Sequence, residues 1–434
     1  MNQINKKGFA CSFLLTRQNL PKLYSPGVGN ECLAIQQDPM KVLEYTNIAN
    51  KVYLLSDGSA VLGIGNQGFK VVKPVLESKA MIMQSLAGVD ATDIACLREH
   101  LPYVASAIAE NASIIFLEDI AAPYCFQLQE ELCQKLNIPI FHDDQQGTTV
   151  VICAAIQKYY KYFKGLNIVI IGAGASGQFA GYLLKQLGAN IIMFDSKGCL
   201  HKNRSVDHYK ARFLTENYSL EDALKNADVL LGLSVKNSID YRILENIPQN
   251  KLILALANPD PDLDIYQLKI LRPDLTICTG RSDLPNQVNN ITCFPFLMRV
   301  ILDLKLQIND TLLFNAIDAL ASIESQEILP DIFDWKLQFG FPSYLMQKYN
   351  PTADLDQYKW SLLSRLLHTK IDTIKVFPTD LPKRNLSIAN RYIYFSHLGP
   401  IVTNIKQDLS CHWISYFNEQ VIDGTDLGLL YSCF

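Results

Sequence analysis

Short apolar runs bounded by turn residues recur along most of the chain, and their period predicts both strands and helices. Val52–Leu55 reads as a strand that stops at the turn Ser56-Asp57-Gly58, and Val61–Ile64 as its continuation. Ser113–Leu117 and Ile138–Phe141 read as further buried strands. Glu31–Tyr45, residues 70–110 and Phe126–Leu136 carry helical patterns, and Gly147-Thr148-Thr149 opens a long apolar helix that reaches about Tyr162. From Asn167 the pattern changes. Strands Ile168–Ile171, Ile191–Phe194, Val229–Leu233, Leu252–Leu256 and Thr276–Thr279 alternate with helical stretches. Strands apolar on both faces, with helices between them, predict a parallel sheet covered on both sides. Residues 306–350 read as helical and end near Asn350-Pro351. Residues 351–434 are dense in aromatics, with irregular periodicity. The expected class is α/β, in three parts: residues 1–150, a doubly wound unit over 151–350, and an extension over 351–434.

Composition narrows the possible partners. Of 434 residues, 49% are hydrophobic and 19% charged, enough for large cores and too apolar for wholesale disorder. The net charge of −4 offers no basic excess to neutralise a nucleic-acid backbone. No apolar run approaches the ~18–20 residues that cross a bilayer. The start, MNQINKKGFACSFLLTR, lacks a small-x-small cleavage site, so it reads as no signal peptide and predicts a cytoplasmic protein. The 11 cysteines form no C-x-x-C pair and read as small buried hydrophobes in a reducing compartment.

The spacing G-x-G-x-x-G occurs twice, at Gly63–Gly68 and at Gly172-Ala-Gly174-Ala175-Ser176-Gly177. Both follow a strand, but only the second opens a helix and leads to a second strand ending in an acid, Asp195, 18 residues after Gly177. That is the dinucleotide-binding arrangement. Gly172 permits the turn, Gly174 lets backbone approach a pyrophosphate, and Gly177 lets helix and strand pack. Asp195 is placed to accept from a ribose hydroxyl. The first motif reads as a close-packed turn that could line a site without binding a pyrophosphate.

Acids end two of the apolar strands: Glu118 with Asp119, and Asp143 with Asp144. Carboxylates brought together there would repel without a cation, and hard oxygen ligands suit Mg²⁺ or Mn²⁺. The alternative is a set of solvated loop acids. Lys79 lies in the weakly charged stretch PVLESKAMIM. It reads either as a snorkelling surface lysine or as a desolvated base of lowered pKa. Tyr24 sits in a Pro/Gly turn. Asn258 follows the strand LILALA, and Asn289 and Asn290 follow the turn Ser282-Asp-Leu-Pro-Asn286; ligands bind at the strand ends of doubly wound sheets, a place where Asn is also a common turn former.

Together these stretches resemble malic enzyme in its short bacterial form. The resemblance is carried by YSPGVGNECLAI (24–35), LLSDGSAVLGIGNQG (54–68), PVLESKA (74–80), FLEDIAAPYCF (116–126), IPIFHDDQQGTT (138–149), IVIIGAGASG (168–177), FDSKG (194–198), LALANPDP (254–261) and TGRSDLPNQVNN (279–290). It covers about residues 15–345. It implies an N-terminal catalytic domain, an NAD(P)-binding domain and a homodimer. Implied roles are a divalent metal on Glu118, Asp119 and Asp144, Lys79 as general base and Tyr24 as general acid. Asp143 would balance the charge of Lys79, and Asn258 and Asn290 would hold substrate near the nicotinamide. The implied reaction is oxidative decarboxylation of malate to pyruvate and CO₂. Rival readings are a malolactic-type or other 2-hydroxy-acid enzyme on the same scaffold, and a non-catalytic NAD-binding protein.

The chain departs from the family at Ser25, Ser78, Tyr124, Gln127 and Gln129. Where the family usually has a basic residue and two acids, Tyr124, Gln127 and Gln129 stand together, which predicts an exchanged polar network. Asp195 favours NAD by repelling a 2′-phosphate, although Ser196, Lys197, Lys202 and Arg204 lie at hand for one.

Overall fold

In the computed structural model the described residues are 17–18, 20–366 and five short strands between 386 and 423. The first sheet has the order β2-β1-β3-β4, with β1 Lys51–Ser56, β2 Asp90–Ala95, β3 Ile114–Leu117 and β4 Ile140–His142, all parallel. The second has the order β10-β9-β8-β5-β6-β7. Its strands are β5 Asn167–Ile171, β6 Asn190–Asp195, β7 Gly198–Cys199, β8 Val229–Gly232, β9 Leu252–Ala255 and β10 Thr276–Thr279. All are parallel except the antiparallel edge strand β7. From β5 the chain goes to β6 on one side and later to β8 on the other, so a ligand crevice opens between them at the strand ends. Beyond the helix Leu355–Leu366 lie antiparallel strands: Leu386–Ile388, Arg391–Ser396 and Gly399–Thr403 in one sheet, Ile414–Phe417 and Gln420–Asp423 in another.

Strands β3, β8 and β9 are buried along their whole length, as their unbroken apolar sequences require. Alternate side chains serve different cores. Ile114 and Phe116 face the large central core with Ile168, Ile170, Leu231 and Leu254 of the second sheet. Ile115 and Leu117 face a smaller cluster with Leu128 and Leu132, and Val169 and Leu230 face another with Leu244 and Leu268. The helix Thr148–Tyr160 buries eight successive residues, Thr149–Ile156, in this arrangement. It belongs to the same core as both sheets, so the sheets share packing rather than merely a linker.

One expectation fails here. Val61–Ile64 does not extend β1; a 3₁₀ turn, Leu62–Ile64, replaces it, and Val61 bridges back to Gly65. Residues 70–110 are mostly helical as expected, with β2, the edge of the first sheet, set between the helices Lys73–Ala87 and Leu101–Ile108. Its sequence, DATDIA, is half-buried and polar on one side, and only pairing along β1 makes it a strand. Among the described residues no helix is long and apolar enough to cross a membrane.

The helix Leu355–Leu366 is tied to the rest by charge. Buried Arg299 donates to Asp303, to Asn50 Oδ1 at 2.5 Å and to the Gly88 carbonyl at 3.4 Å. Asp303 also accepts from Tyr358 at 3.0 Å and Arg365 at 2.8 Å. Burial raises the Asp303 carboxyl, but the two arginines outweigh it and hold the group below its ordinary value.

Candidate active site

The strand ends of both sheets open on one cavity of about 620 Å³. Its walls include Lys79, Glu118, Asp119 and Asp144 from the first unit, and Gly174, Ala175, Ser176, Gly177, Asn258 and Asn290 from the second. Glu118 and Asp119 follow β3, and Asp119 sits at φ +53°, a left-handed conformation uncommon outside glycine and Asn/Asp turns. Asp143 and Asp144 begin a π-helical turn, Asp143–Gly147, between β4 and the buried helix. Such turns widen the backbone and aim side chains off the helix path. A side chain at Gly147 would place its Cβ 1.9 Å from Asp143 Oδ1, so glycine is the residue that fits. The Asp119 N–H donates to Asp144 Oδ2 at 2.9 Å and couples the two acid loops. Gln129, one of the departures from the family pattern, donates to Gln146 Oε1 at 3.1 Å, and that same oxygen accepts from the His142 N–H at 2.8 Å.

Lys79 projects from the helix Lys73–Ala87 into these acids. Its ammonium donates to Asp143 and lies 2.8 Å from Glu118 Oε1. Phe294 and Phe116 flank it, with ring centroids 5.0 and 5.8 Å away. Burial alone would lower its pKa, yet Asp143, Glu118 and Asp144 together drive it above the ordinary lysine value. This differs from the lowered value expected of a desolvated base, because the carboxylates arrive with it. Burial also pushes Glu118 upward against the pull of Lys79, and the neighbouring acids add to that push. Burial and Asp144 do the same to Asp143. His142, wholly buried with its Nδ1 3.8 Å from Asp144, is pushed down by burial to about 4 and is neutral at pH 7.

One lysine therefore faces three acids, Glu118, Asp143 and Asp144, and Asp119 adds a fourth carboxylate beside Glu118. The ligand oxygens of Glu118, Asp119 and Asp144 all lie within 4.8 Å of one another, and Glu118 Oε2 is buried without a hydrogen-bond partner. Excess negative charge and an unused buried oxygen are what a hard divalent cation satisfies, so the residues present fit Mg²⁺ or Mn²⁺.

Across the cavity the second glycine motif has the geometry its spacing predicts. Gly172 adopts φ +119°, and a Cβ on Gly177 would lie 1.8 Å from the Gly172 carbonyl oxygen. Gly174 leads into the helix Ala175–Gln186, whose first turn lines the cavity. A Cβ at Gly174 would meet nothing within 4 Å, leaving room for a ligand close to backbone. The first motif packs instead: a Cβ at Gly63 would come 1.8 Å from the Asn258 carbonyl oxygen. Asn258 donates weakly to the Leu256 carbonyl at 3.5 Å, and Asn290 reaches Thr148 Oγ1 at 3.5 Å.

Four site residues singled out in the sequence, Tyr24, Asp143, Gly172 and Asp195, do not line the cavity. Tyr24 is 71% exposed on the surface. Asp195 ends β6 as expected, but Arg204 and Lys210 engage its carboxylate. Lys202 pairs with Glu216 rather than with Asp195. Asn289 lines the cavity beside Asn290, and Thr148, Asp207 and Lys210 line it without having been recognised in the sequence. The proline-free stretch around Asp207-His208-Tyr209-Lys210 offered one signal, a capping acid before a short helix.

A doubly wound sheet carrying a dinucleotide-type glycine loop thus faces a lysine–carboxylate cluster across one cavity. The family model "Malic enzyme, N-terminal domain" matches residues 5–99. The NADP-dependent malic enzyme of Escherichia coli is 38% identical over 355 residues, covering 77% of this chain and 47% of that protein. The NADP-dependent malic enzyme of Halomonas elongata is 37% identical, with coverages of 72% and 78%. Among solved structures, the NAD-dependent malic enzyme of Thermotoga maritima superposes with a TM-score of 0.71 at 34% identity, covering 77% of this chain and 93% of that one. The chain belongs to the malic enzyme family, and it spans about half the length of the curated relatives it first matches.

Proposed function

We propose that this chain oxidatively decarboxylates L-malate to pyruvate and CO₂ with NAD(P)⁺ and a divalent cation. The observation that supports this most is the single cavity in which Lys79 and the Glu118–Asp119–Asp144 oxygens face the Gly174–Gly177 loop. Malate would sit between them, with its C2 hydroxyl toward Lys79. When bound, the cation polarises the C2 oxygen and the nicotinamide accepts the C2 hydride.

Lys79 takes the C2 hydroxyl proton in its neutral form, which a divalent cation on Glu118, Asp119 and Asp144 would favour by offsetting the acids that hold the lysine protonated, while Asp143 keeps it in place. Asn258 and Asn290 orient substrate beside the nicotinamide. Tyr24 returns a proton to C3 once CO₂ has left. That role requires the exposed Tyr24 segment to come over the cavity mouth. In the same reading the chain is a cytoplasmic homodimer, with a catalytic unit over residues 1–150, a nucleotide unit over 151–350 and an extension beyond. The helices Leu20–Leu23 and Gly27–Gln37 bury no residue while Leu20 and Leu33 stand exposed, which supports a partner on that face.

The test supplies L-malate, Mn²⁺ and NAD⁺ or NADP⁺ to purified protein and follows pyruvate and reduced cofactor together. Stoichiometric formation of both is expected. Lys79→Ala should lower kcat by roughly 10²–10⁴-fold with the fold intact. Lactate without net reduced cofactor would replace this reading with a malolactic one, and no turnover on malate would refute it.

A further inference from the structure

The cavity runs past the glycine loop to a wall formed by Lys210 and Asp207. Behind Lys210 lies Asp195, at the end of β6. An acid at this place in a dinucleotide fold accepts from the adenosine ribose hydroxyls. Here its acceptor capacity is used. Oδ1 accepts from the Lys197 N–H and from Arg204 Nη1, both at 2.9 Å. Oδ2 accepts from Arg204 Nη2 at 2.9 Å and from Lys210 Nζ at 3.3 Å. A carboxylate offers about four lone-pair sites, and these donors occupy them.

The guanidinium is fixed further by the carbonyls of Gly198 at 3.1 Å and Cys199 at 3.0 Å. Asp207 brings a second acid to the wall, but its Oδ1 is turned into the N–H groups of Tyr209 and Lys210 at 3.0 and 3.1 Å. Lys210 gives one donor to Asp195 and retains the others at the cavity wall. A ribose hydroxyl thus meets no open acceptor at Asp195. A phosphate on the same carbon meets a cation held in position, where charge-assisted hydrogen bonds are the stronger kind.

We propose that Lys210, held at the cavity wall by Asp195, whose charge Arg204 offsets from behind, forms a recognition site for a 2′-phosphate, so that this chain takes NADP in preference to NAD. The inference rests on the function proposed above and reverses the preference that Asp195 suggests by itself.

Equilibrium binding by titration calorimetry, on the whole chain without malate, tests it. The ligands are NADP⁺ against NAD⁺, and 2′,5′-ADP against 5′-AMP. Each 2′-phosphorylated ligand is expected to bind at least about tenfold tighter than its counterpart, and to weaken more steeply with salt. Lys210→Ala should remove most of that advantage while leaving NAD⁺ and 5′-AMP as they were, and Lys210→Arg should keep it. Equal or tighter binding of NAD⁺ overturns the inference and leaves the dinucleotide reading standing. Equal weakening of all four ligands in Lys210→Ala also overturns it, since the residue would then serve only the fold. Binding of neither dinucleotide overturns both readings.

Discussion

Two acid clusters occupy equivalent places in this molecule, at the C-terminal ends of parallel strands, and their electrostatics are opposite. At β3 and β4, four acids, Glu118, Asp119, Asp143 and Asp144, gather around one lysine, Lys79, which pairs with Glu118 and Asp143. At β6, one acid, Asp195, is shared by two cations, Arg204 and Lys210. The first cluster raises its own carboxyls, because burial and mutual repulsion exceed what a single ammonium offsets. The second does the reverse. Burial raises Asp195, but Arg204, the Lys197 N–H and Lys210 outweigh it and bring the group down to about 2. Strand ends supply position only, and the count of opposite charges around the acid decides what it can bind. One cluster is short of a cation, and the other has positive charge to spare.

The contrast can be sharpened at the first cluster, where the largest effect is expected. If the acids hold Mn²⁺, the ion at a hundred times its dissociation constant should stabilise the fold by about 2.7 kcal/mol. Asp144→Asn should abolish most of that gain, and thermal unfolding with and without Mn²⁺ reads it. An undiminished shift in the variant would place the ion elsewhere.

A smaller effect is expected beside the cluster. Arg98 bonds Asp57 at 2.7 Å and lies 5.0 Å above the Tyr124 ring, whose hydroxyl donates to the Arg98 carbonyl. Tyr124→Arg restores the family's usual basic residue but sets it against Arg98. It should cost about 1 kcal/mol in urea unfolding, and a gain would dismiss the exchanged network.

The smallest effect belongs to Asp195. Its folded pKa is about 2, below the ordinary value of about 3.9. Its ion pairs therefore add stability that is complete above about pH 4 and is lost as the pH falls toward 2. Asp195→Asn should flatten that part of an acid-unfolding curve. An unchanged curve would mean that Asp195 is no stronger an acid folded than unfolded.

Much of the fold was legible because its strands are apolar on both faces. NIVII, VLLG and LILA could pack only between covering helices, and they do. DATDIA was not legible, since an edge strand needs only one buried face and its acids mask the period. Within the site, the glycines of 172–177 declare their purpose by spacing, and their backbone geometry agrees. The acids were visible as strand ends, but nothing in their spacing shows that Glu118 and Asp144, 26 positions apart, meet around one lysine.

What the sequence determined by itself is the set of elements, the dinucleotide turn and the membership of a family. Those depend on local period, on glycine where a Cβ has no room, and on several motifs in order. Only the tertiary structure decided the protonation of Lys79, the saturation of Asp195 and the distance of Tyr24 from the cavity. Each of these depends on charges and surfaces brought together from remote positions, and electrostatic energy follows separation in space rather than separation along the chain.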